Sequence, residues 1–202
     1  MEYKIPISAD FSEYINLFLE ENARLNLISK NDEKLIFEKH IYDSLSIKLF
    51  FEKYGNNFKT ILDIGCGGGF PSVPIAIEYP NIEITGVDSI RKKIESVNNI
   101  KSKLSINNLH LICNRIENLE NLKFDIVVCR AVSDLAKISK YALPFLNRGG
   151  YFIAYKSKKA DEEIAAAYET LNSTDAEIVD TIEYTLPTEA HHQRKLICIK
   201  KL

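Results

Sequence analysis

The chain has 202 residues, of which 46% are hydrophobic, and this combination supports one sizeable core rather than two. A formal net charge of −2 argues against nonspecific coating of nucleic acid, and no apolar stretch approaches the roughly 20 residues of a membrane helix. The N-terminus lacks the charged-then-apolar pattern of a secretory signal, and the four cysteines form no C-x-x-C pair. We therefore expect a cytoplasmic protein with reduced, mostly buried thiols and no metal site.

Residues 1–58 are predicted to form an N-terminal helical extension. Apolar side chains recur at helical spacing over two stretches, 9–29 and 32–54. His40 lies in the second stretch, and a histidine on an amphipathic helix is more often a hydrogen-bonded structural residue than a catalyst. The remaining residues, 59–202, are expected to form a single α/β domain.

Strand and helix patterns alternate through this domain. Helices are predicted from about 72, over 90–104, over 133–146 and near 159–171, and strands over 60–64, 82–87, 109–113, 124–129 and 151–155. The triplet Arg148-Gly149-Gly150 is typical of a helix stop and a turn. Segments 176–184 and 194–200 resemble a strand pair joined by a polar loop. Strands separated by helices predict a parallel sheet that is covered on both faces.

A glycine-rich loop follows the first predicted strand. Four of the eight glycines fall within five residues, where a strand must turn into a helix and backbone can approach a ligand. Nicotinamide, flavin and adenosylmethionine enzymes all use such turns. Here Asp63 precedes a Gly65-x-Gly67-x-Gly69 spacing, which differs from the G-x-G-x-x-G of dinucleotide sites. The pattern therefore favours a methyl-donor site, whose ligand carries no pyrophosphate.

Asp88 ends the next predicted strand, about one βαβ unit later. A carboxylate at this place can accept hydrogen bonds from both hydroxyls of a ribose. The alternative is a surface acid that caps the helix beginning near Ile90.

Positive charge is concentrated downstream of the glycine loop. Residues 89–160 hold 14 basic and 5 acidic side chains, a local balance of +9. Such a segment can form a basic flank around a ligand mouth and contact phosphates. For any single lysine, solvation of a helix face is the competing interpretation.

Several motifs together resemble the bacterial 16S ribosomal RNA guanine-N7 methyltransferases, also called glucose-inhibited division protein B. These are DIGCGGGFP (63–71), DSIRKK (88–93), RIE (115–117), DIVVCRA (125–131) and RKLICIK (194–200), with NL (26–27) and KHIYDS (39–44) upstream. The resemblance covers nearly the whole chain. It implies a class I methyltransferase fold, with a seven-stranded, mostly parallel sheet that ends in an antiparallel hairpin. It also implies S-adenosylmethionine as cofactor and N7 of one guanosine in a loop of small-subunit rRNA as target.

The residue pattern and the resemblance together assign the site residues. Cofactor-binding positions are Asp63, Gly65, Gly67, Gly69, Phe70, Asp88, Ile116, Glu117 and Arg130, and RNA-binding positions are Lys92, Arg115 and Arg194. Two departures from the family pattern are Cys66 and Ser72. Both residues are small, so we expect altered packing and no loss of function.

Methylation of guanine N7 requires little acid–base catalysis. N7 carries a lone pair and no proton, so attack on a sulfonium methyl needs no general base, and positioning supplies most of the rate advantage. Arg130, at the carboxyl end of a central strand, is predicted to orient the target base; the competing interpretation is an ion pair with Asp134, four residues later. Cys129 lies close to where a pyrimidine C5 enzyme keeps its nucleophile, but a buried thiol is the stronger interpretation.

Two other functions stay open at this point. One is methylation of a small molecule or a protein, and the other is a nicotinamide-binding or noncatalytic nucleotide-binding protein. The basic middle segment disfavours the first, and the glycine spacing and lack of a second nucleotide-binding half count against the second. We expect a monomer whose partner is 16S rRNA or the small ribosomal subunit, with no membrane contact.

Overall fold

A seven-stranded sheet organises the protein in the computed structural model, which describes residues 5–157 and 160–202. The spatial order of the strands is β3-β2-β1-β4-β5-β7-β6. The strands are β1 (Thr60–Ile64), β2 (Glu83–Asp88), β3 (Leu109–Cys113), β4 (Phe124–Arg130), β5 (Leu146–Ser157), β6 (Ala176–Thr185) and β7 (Gln193–Lys201). Pairing is parallel from β3 through β5, and β7 pairs antiparallel with both β5 and β6. The predicted α/β fold with a C-terminal antiparallel pair is therefore confirmed.

Helices connect the parallel strands and form the N-terminal segment. They are α1 (Ser12–Leu25), α2 (Lys30–Glu33), α3 (Tyr42–Leu45), α4 (Ile47–Tyr54), α5 (Ser72–Glu78), α6 (Arg91–Lys103), α7 (Leu135–Ala142) and α8 (Ala160–Asn172). Residue 159, near which the last helix was predicted to start, lies outside the described residues. A π-helical turn, Phe37–Ile41, precedes α3, so the stretch 32–54, predicted to be helical, folds as several short helices.

Two predicted boundaries around β5 are wrong. The helix predicted over 133–146 ends as α7 at Ala142, because a 3₁₀ turn that carries Pro144 follows it. The glycine pair does not form a turn before a strand but lies within β5, which begins at Leu146. There the pairing shifts between Phe124 and Ile126, and Gly149 adopts φ +78° inside this irregularity.

The core has two layers, one on each face of the sheet. Alternate residues along a strand point to opposite faces, so Ile126 and Val128 of β4 belong to one cluster while Val127 belongs to the other. The first cluster also contains buried side chains of α1, α3 and α4, and the second contains those of α7 and α8. The N-terminal helices therefore cover one face of the sheet.

A buried carboxylate fixes the start of the chain to the helices. Glu78, at the end of α5, accepts hydrogen bonds from the Ser8 amide at 3.0 Å, the Ser8 hydroxyl at 2.6 Å and the Ala9 amide at 2.9 Å. Lys48 of α4 forms an ion pair with the same carboxylate. Burial alone raises the pKa of Glu78, but the hydrogen bonds from Lys48 and Ser8 outweigh it and lower this pKa to about 2.

No helix within 5–157 or 160–202 is long and apolar enough to cross a membrane.

We expect Glu78→Gln to lower the free energy of unfolding by about 2–3 kcal/mol at pH 7, because a buried ion pair loses one partner. The folded pKa of Glu78 lies below its ordinary value of 4.5, so its contribution is complete above pH 4.5 and declines as pH falls toward 2. Urea unfolding of both proteins at pH 7, 4.5 and 3 measures this difference. Glu20→Gln, at an exposed pair with Lys103, is the control and should cost under about 0.5 kcal/mol. A difference for Glu78→Gln that does not change with pH would contradict this account.

Candidate functional site

The glycine loop turns sharply after β1 and contacts its surroundings closely. Gly65 has φ +74° and Gly69 has φ +93°, a region that L side chains rarely adopt. A Cβ added at Gly65 would lie 2.8 Å from Val132 Cγ2, and one at Gly69 would lie 2.7 Å from Val73 Cγ2. Both backbone conformation and space therefore require glycine at these two positions.

Two carboxylates hold the loop. Asp88 accepts a hydrogen bond from the Gly67 amide at 3.0 Å and another from the Ile90 amide at 2.8 Å. Asp88 therefore supports the turn before α6 and the glycine loop, whereas the N-cap residue of α6 is Ile90 and no side chain of the described residues caps this helix. Asp63 is fully buried and accepts from the amide and the hydroxyl of Ser72. Its Oδ1 has no hydrogen-bond partner among the residues that the structure describes.

Burial gives Asp63 an unusual titration. Removal of the carboxylate from water raises its pKa to about 7, although the two hydrogen bonds from Ser72 act in the opposite direction. The group therefore changes charge close to neutral pH.

A crevice of about 310 Å³ lies along the carboxyl ends of the parallel strands. Of the predicted cofactor-binding residues it is lined by Gly65, Asp88, Ile116 and Glu117, together with the predicted RNA-binding residue Arg115. Asp63, Gly67, Gly69, Phe70 and Arg130 do not line it. Gly67 is part of the glycine loop, and the buried Asp63 holds Ser72, directly after that loop.

Phe70 connects the glycine loop to the N-terminal helices. Its ring centroid is 4.9 Å from that of Phe18 on α1, 4.9 Å from that of His40 and 6.0 Å from that of Tyr14. The Cζ atom of Arg130 lies 5.2 Å from the Phe70 centroid. The ring is thus buried between the loop and the extension.

Arg130 lines a second cavity, of about 630 Å³. Its Nη1 donates to Asp43 Oδ2 at 3.1 Å and to the Lys39 carbonyl at 3.3 Å, and its Nη2 lies 3.0 Å from His40 Nδ1. The predicted alternative, an ion pair with Asp134, is wrong: the carboxylate paired with Arg130 is Asp43, and Asp134 instead caps α7 by accepting from the Lys137 amide at 2.8 Å.

His40 is a structural partner of Arg130, in agreement with the sequence interpretation. Burial, together with the nearby Arg130 charge, lowers the pKa of His40 to about 4, so the imidazole is neutral at pH 7. With Nδ1 accepting from Arg130, the proton lies on Nε2, which is buried and has no hydrogen-bond partner within the described part of the chain.

The three predicted RNA-binding residues lie in different places. Arg194 lines the second cavity, with its Nε 3.8 Å from Asp43 Oδ1. Arg115 is exposed at the crevice, and Lys92 is exposed on α6 and lines neither cavity.

The crevice and the second cavity adjoin, because Val132 and Ser133 line both. Among the described residues, the second cavity, which we call the basic cavity, is lined by four cationic side chains and three carboxylates: Lys39, Arg130, Lys156 and Arg194, with Asp32, Asp43 and Glu163.

Sequence reasoning missed Asp43 as a site residue. The motif KHIYDS contains it, three residues after His40, and this spacing places both side chains on one helix face. This spacing is the part of the contact that is visible in the sequence. No local pattern indicates that this helix face contacts Arg130.

The cysteines agree with the interpretation of buried thiols, apart from Cys113, which is exposed. Burial raises the pKa of Cys129 to about 12, which disfavours the thiolate that a nucleophile requires.

The two residues that depart from the family pattern, Cys66 and Ser72, both lie close to Gly86 of β2. A Cβ added to Gly86 would lie 3.1 Å from Cys66 Sγ and from Ser72 Oγ. In the described ranges no group of three or more histidine, cysteine or acidic side chains is placed to hold a metal ion.

Comparison with known proteins identifies relatives of the whole chain. The family described as "GidB: rRNA small subunit methyltransferase G" matches residues 7–196. Ribosomal RNA small subunit methyltransferase G of Lachnoclostridium phytofermentans is 36% identical over 198 residues, which cover 95% of this chain and 80% of the relative. The protein of the same name from Staphylococcus saprophyticus is 34% identical over 195 residues, covering 95% and 81%.

Solved structures share the fold at low sequence identity. Magnesium protoporphyrin IX methyltransferase from Synechocystis, with bound SAM, has a TM-score of 0.65 at 18% identity, covering 95% of this chain and 98% of that one. TYW2 from M. jannaschii, in complex with AdoMet, has a TM-score of 0.61 at 14% identity, covering 79% and 77%. The fold is thus that of class I methyltransferases, and this chain belongs to the GidB family, the small-subunit rRNA methyltransferases G.

Proposed function

We propose that this protein transfers a methyl group from S-adenosylmethionine to N7 of a guanine in 16S ribosomal RNA. The observation that carries the proposal is the junction of the two cavities at Val132 and Ser133. A methyl donor in one cavity and a base in the other would meet at this wall. Family membership supports the same reaction.

The residues around the crevice fit S-adenosylmethionine. The Asp88 carboxylate, at the carboxyl end of β2, is suited to accept hydrogen bonds from ribose hydroxyls. Ile116 and Glu117 provide an apolar and a polar side chain for the adenine end. The Asp63 carboxylate is fully buried and lies outside the crevice lining, so it would act on the ammonium of the methionine end through its charge, across the glycine loop, and not by a direct hydrogen bond. When bound, the cofactor supplies an electrophilic methyl group on a sulfonium.

The chain's own contribution is positioning. N7 needs no proton removed, and the groups near the junction suit this requirement, because Cys129 is a buried thiol and His40 is occupied by Arg130. Arg130 and Arg194 line the basic cavity, where a guanidinium can donate to guanine O6 or to a phosphate. Fixed donors of this kind are effective when they are oriented before the reaction.

The proposed RNA surface lies around the mouths of the two cavities. Arg115 is exposed at the crevice, Lys92 is exposed on α6, and Arg194 lies in the basic cavity, so each is available to a phosphate. The deep, narrow major groove of A-form RNA hides N7, so the target guanine must lie in an unpaired or distorted loop. We further propose that the protein acts as a monomer and in the cytoplasm, where its rRNA substrate is made.

Purified protein incubated with labelled S-adenosylmethionine should transfer label to 16S rRNA, offered naked or in small subunits. Borohydride reduction followed by aniline cleaves RNA at N7-methylguanosine, so we expect one new scission site. Protein-free and heat-denatured reactions are the controls. Label that appears on protein, on a small molecule, or on RNA without scission would contradict the proposed reaction.

Cys129→Ser should leave kcat within about threefold of wild type, because the thiol is buried and protonated and takes no part in transfer. The burial of a hydroxyl in this apolar strand should cost stability of about 1–3 kcal/mol. Cys198→Ser, on β7, is a matched control for that cost. A folded Cys129→Ser protein without activity would instead indicate a covalent mechanism.

Donor affinity should rise with pH through about 7. Asp63 is neutral below its raised pKa of about 7 and ionised above it, and only the ionised form carries the charge that attracts the donor's ammonium across the loop. Calorimetry of S-adenosylmethionine binding between pH 5.5 and 7.5 should show the dissociation constant falling several-fold. Asp63→Asn should weaken binding and remove most of this pH dependence. Asp88→Asn should weaken binding but keep the pH dependence, because Asp63 is still present. A flat pH profile in the wild type would contradict the role of Asp63.

A further inference from the structure

One buried carboxylate from the N-terminal extension contacts three strands of the catalytic domain. Asp43, on α3, is 4% exposed. Its Oδ2 accepts from Arg130 Nη1 at 3.1 Å, and its Oδ1 accepts from the Tyr184 hydroxyl at 2.6 Å. The same Oδ1 lies 3.8 Å from Arg194 Nε. Arg130 ends β4, Tyr184 lies on β6, and Arg194 lies on β7.

The other cations of this cavity have acidic partners of their own. Lys39 Nζ lies 2.5 Å from Asp32, and Lys156 Nζ lies 2.6 Å from Glu163. By contrast, the two arginines share the single charge of Asp43. A buried carboxylate must be paired, and its loss would leave two guanidinium groups without their common anchor.

The two arginines differ in what they can still bind. Both Nη atoms of Arg130 already have contacts, with Asp43, His40 and the Lys39 carbonyl. Arg194 is 30% exposed at its side chain, and its Nη groups have no hydrogen bond to any residue in the described ranges. The Asp43 contact lies on the Nε side, so the outer edge of this guanidinium is left for a ligand in the cavity.

We propose that Asp43 is a positioning residue for methyl transfer. It holds Arg130 and Arg194 side by side on the wall of the basic cavity, with Tyr184 fixing the orientation of the carboxylate. The N-terminal extension thereby takes part in the reaction, through the orientation of residues that meet the RNA. This inference rests on the proposed function, since it assigns the cavity to the acceptor base.

Asp43→Asn removes the charge while keeping the size of the side chain. We expect kcat on saturating 16S rRNA to fall at least 30-fold, while the dissociation constant of S-adenosylmethionine and its binding stoichiometry stay within twofold of wild type. A purely structural role would instead lower the fraction of molecules that bind the donor. Asp180→Asn is the matched control, because Asp180 also accepts from a cation and a tyrosine, Lys53 and Tyr54, but lies outside the cavity. It should keep kcat within twofold.

A double variant that combines Asp43→Asn with Arg194→Gln tests whether Asp43 and Arg194 act together. If Asp43 works through the arginines, the double variant should lose much less activity than the product of the two single losses. Losses that multiply, or an Asp43→Asn protein with kcat within twofold of wild type, would overturn the proposal. Should Asp43→Asn fail to fold, Tyr184→Phe takes its place, with an expected three- to tenfold loss of kcat at unchanged donor affinity. A wild-type kcat for Tyr184→Phe would then overturn the proposal.

Nitrogen NMR of the guanidinium groups separates this inference from the proposed function. Wild type should show resolved, slowly exchanging side-chain signals for Arg130 and Arg194, assigned from the Arg130→Lys and Arg194→Lys variants. These signals should collapse in Asp43→Asn and persist in Asp180→Asn. If the wild type transfers no methyl group to rRNA, the proposed function fails while the NMR result still decides whether Asp43 orders the arginines. Signals that persist in Asp43→Asn would overturn the positioning role.

Discussion

The backbone conformation of the glycine loop is the constraint on which the rest of the site depends. At the end of β1 the chain adopts positive φ values at Gly65 and Gly69, and it does so where a side chain would collide with Val132 or Val73. Asp88 holds this turn from the neighbouring strand through the Gly67 amide. The crevice therefore depends on the absence of side chains at Gly65 and Gly69 and on the contact that fixes the loop.

The N-terminal helices extend this constraint to the second cavity. Phe70, which closes the glycine loop, packs against Phe18 and His40, and Arg130 lies over the same ring. Asp43 then joins the extension to β4, β6 and β7. The crevice is lined, among the described residues, only by those from Ile64 onward, whereas the basic cavity is built jointly by the sheet and the residues before it. This arrangement gives a physical reason for the extension in a family whose substrate is RNA.

Local patterns in the sequence predicted those features that are themselves local. The alternation of strands and helices after Thr60, the glycine loop and the carboxylate at the end of β2 are each encoded within a few residues, and the structure has them. The glycine pair before Tyr151 predicts a turn from local signals alone, because a turn and the irregularity that β5 contains have the same local pattern. The contact of Arg130 with Asp43 spans 87 positions and that of Tyr184 with Asp43 spans 141, so no spacing rule reports them. The sequence offers the nearer Asp134 as a partner for Arg130, because helical spacing is visible in a sequence and tertiary packing is not.

A crystal structure of the protein with S-adenosylhomocysteine, the demethylated product, tests the central claim most directly. The account predicts that the ribose hydroxyls lie within hydrogen-bond distance of Asp88, the adenine lies beside Ile116, and the sulfur faces the wall at Val132 and Ser133 toward Arg130. Product bound in another cavity, with the crevice beside Gly65 empty, would contradict it.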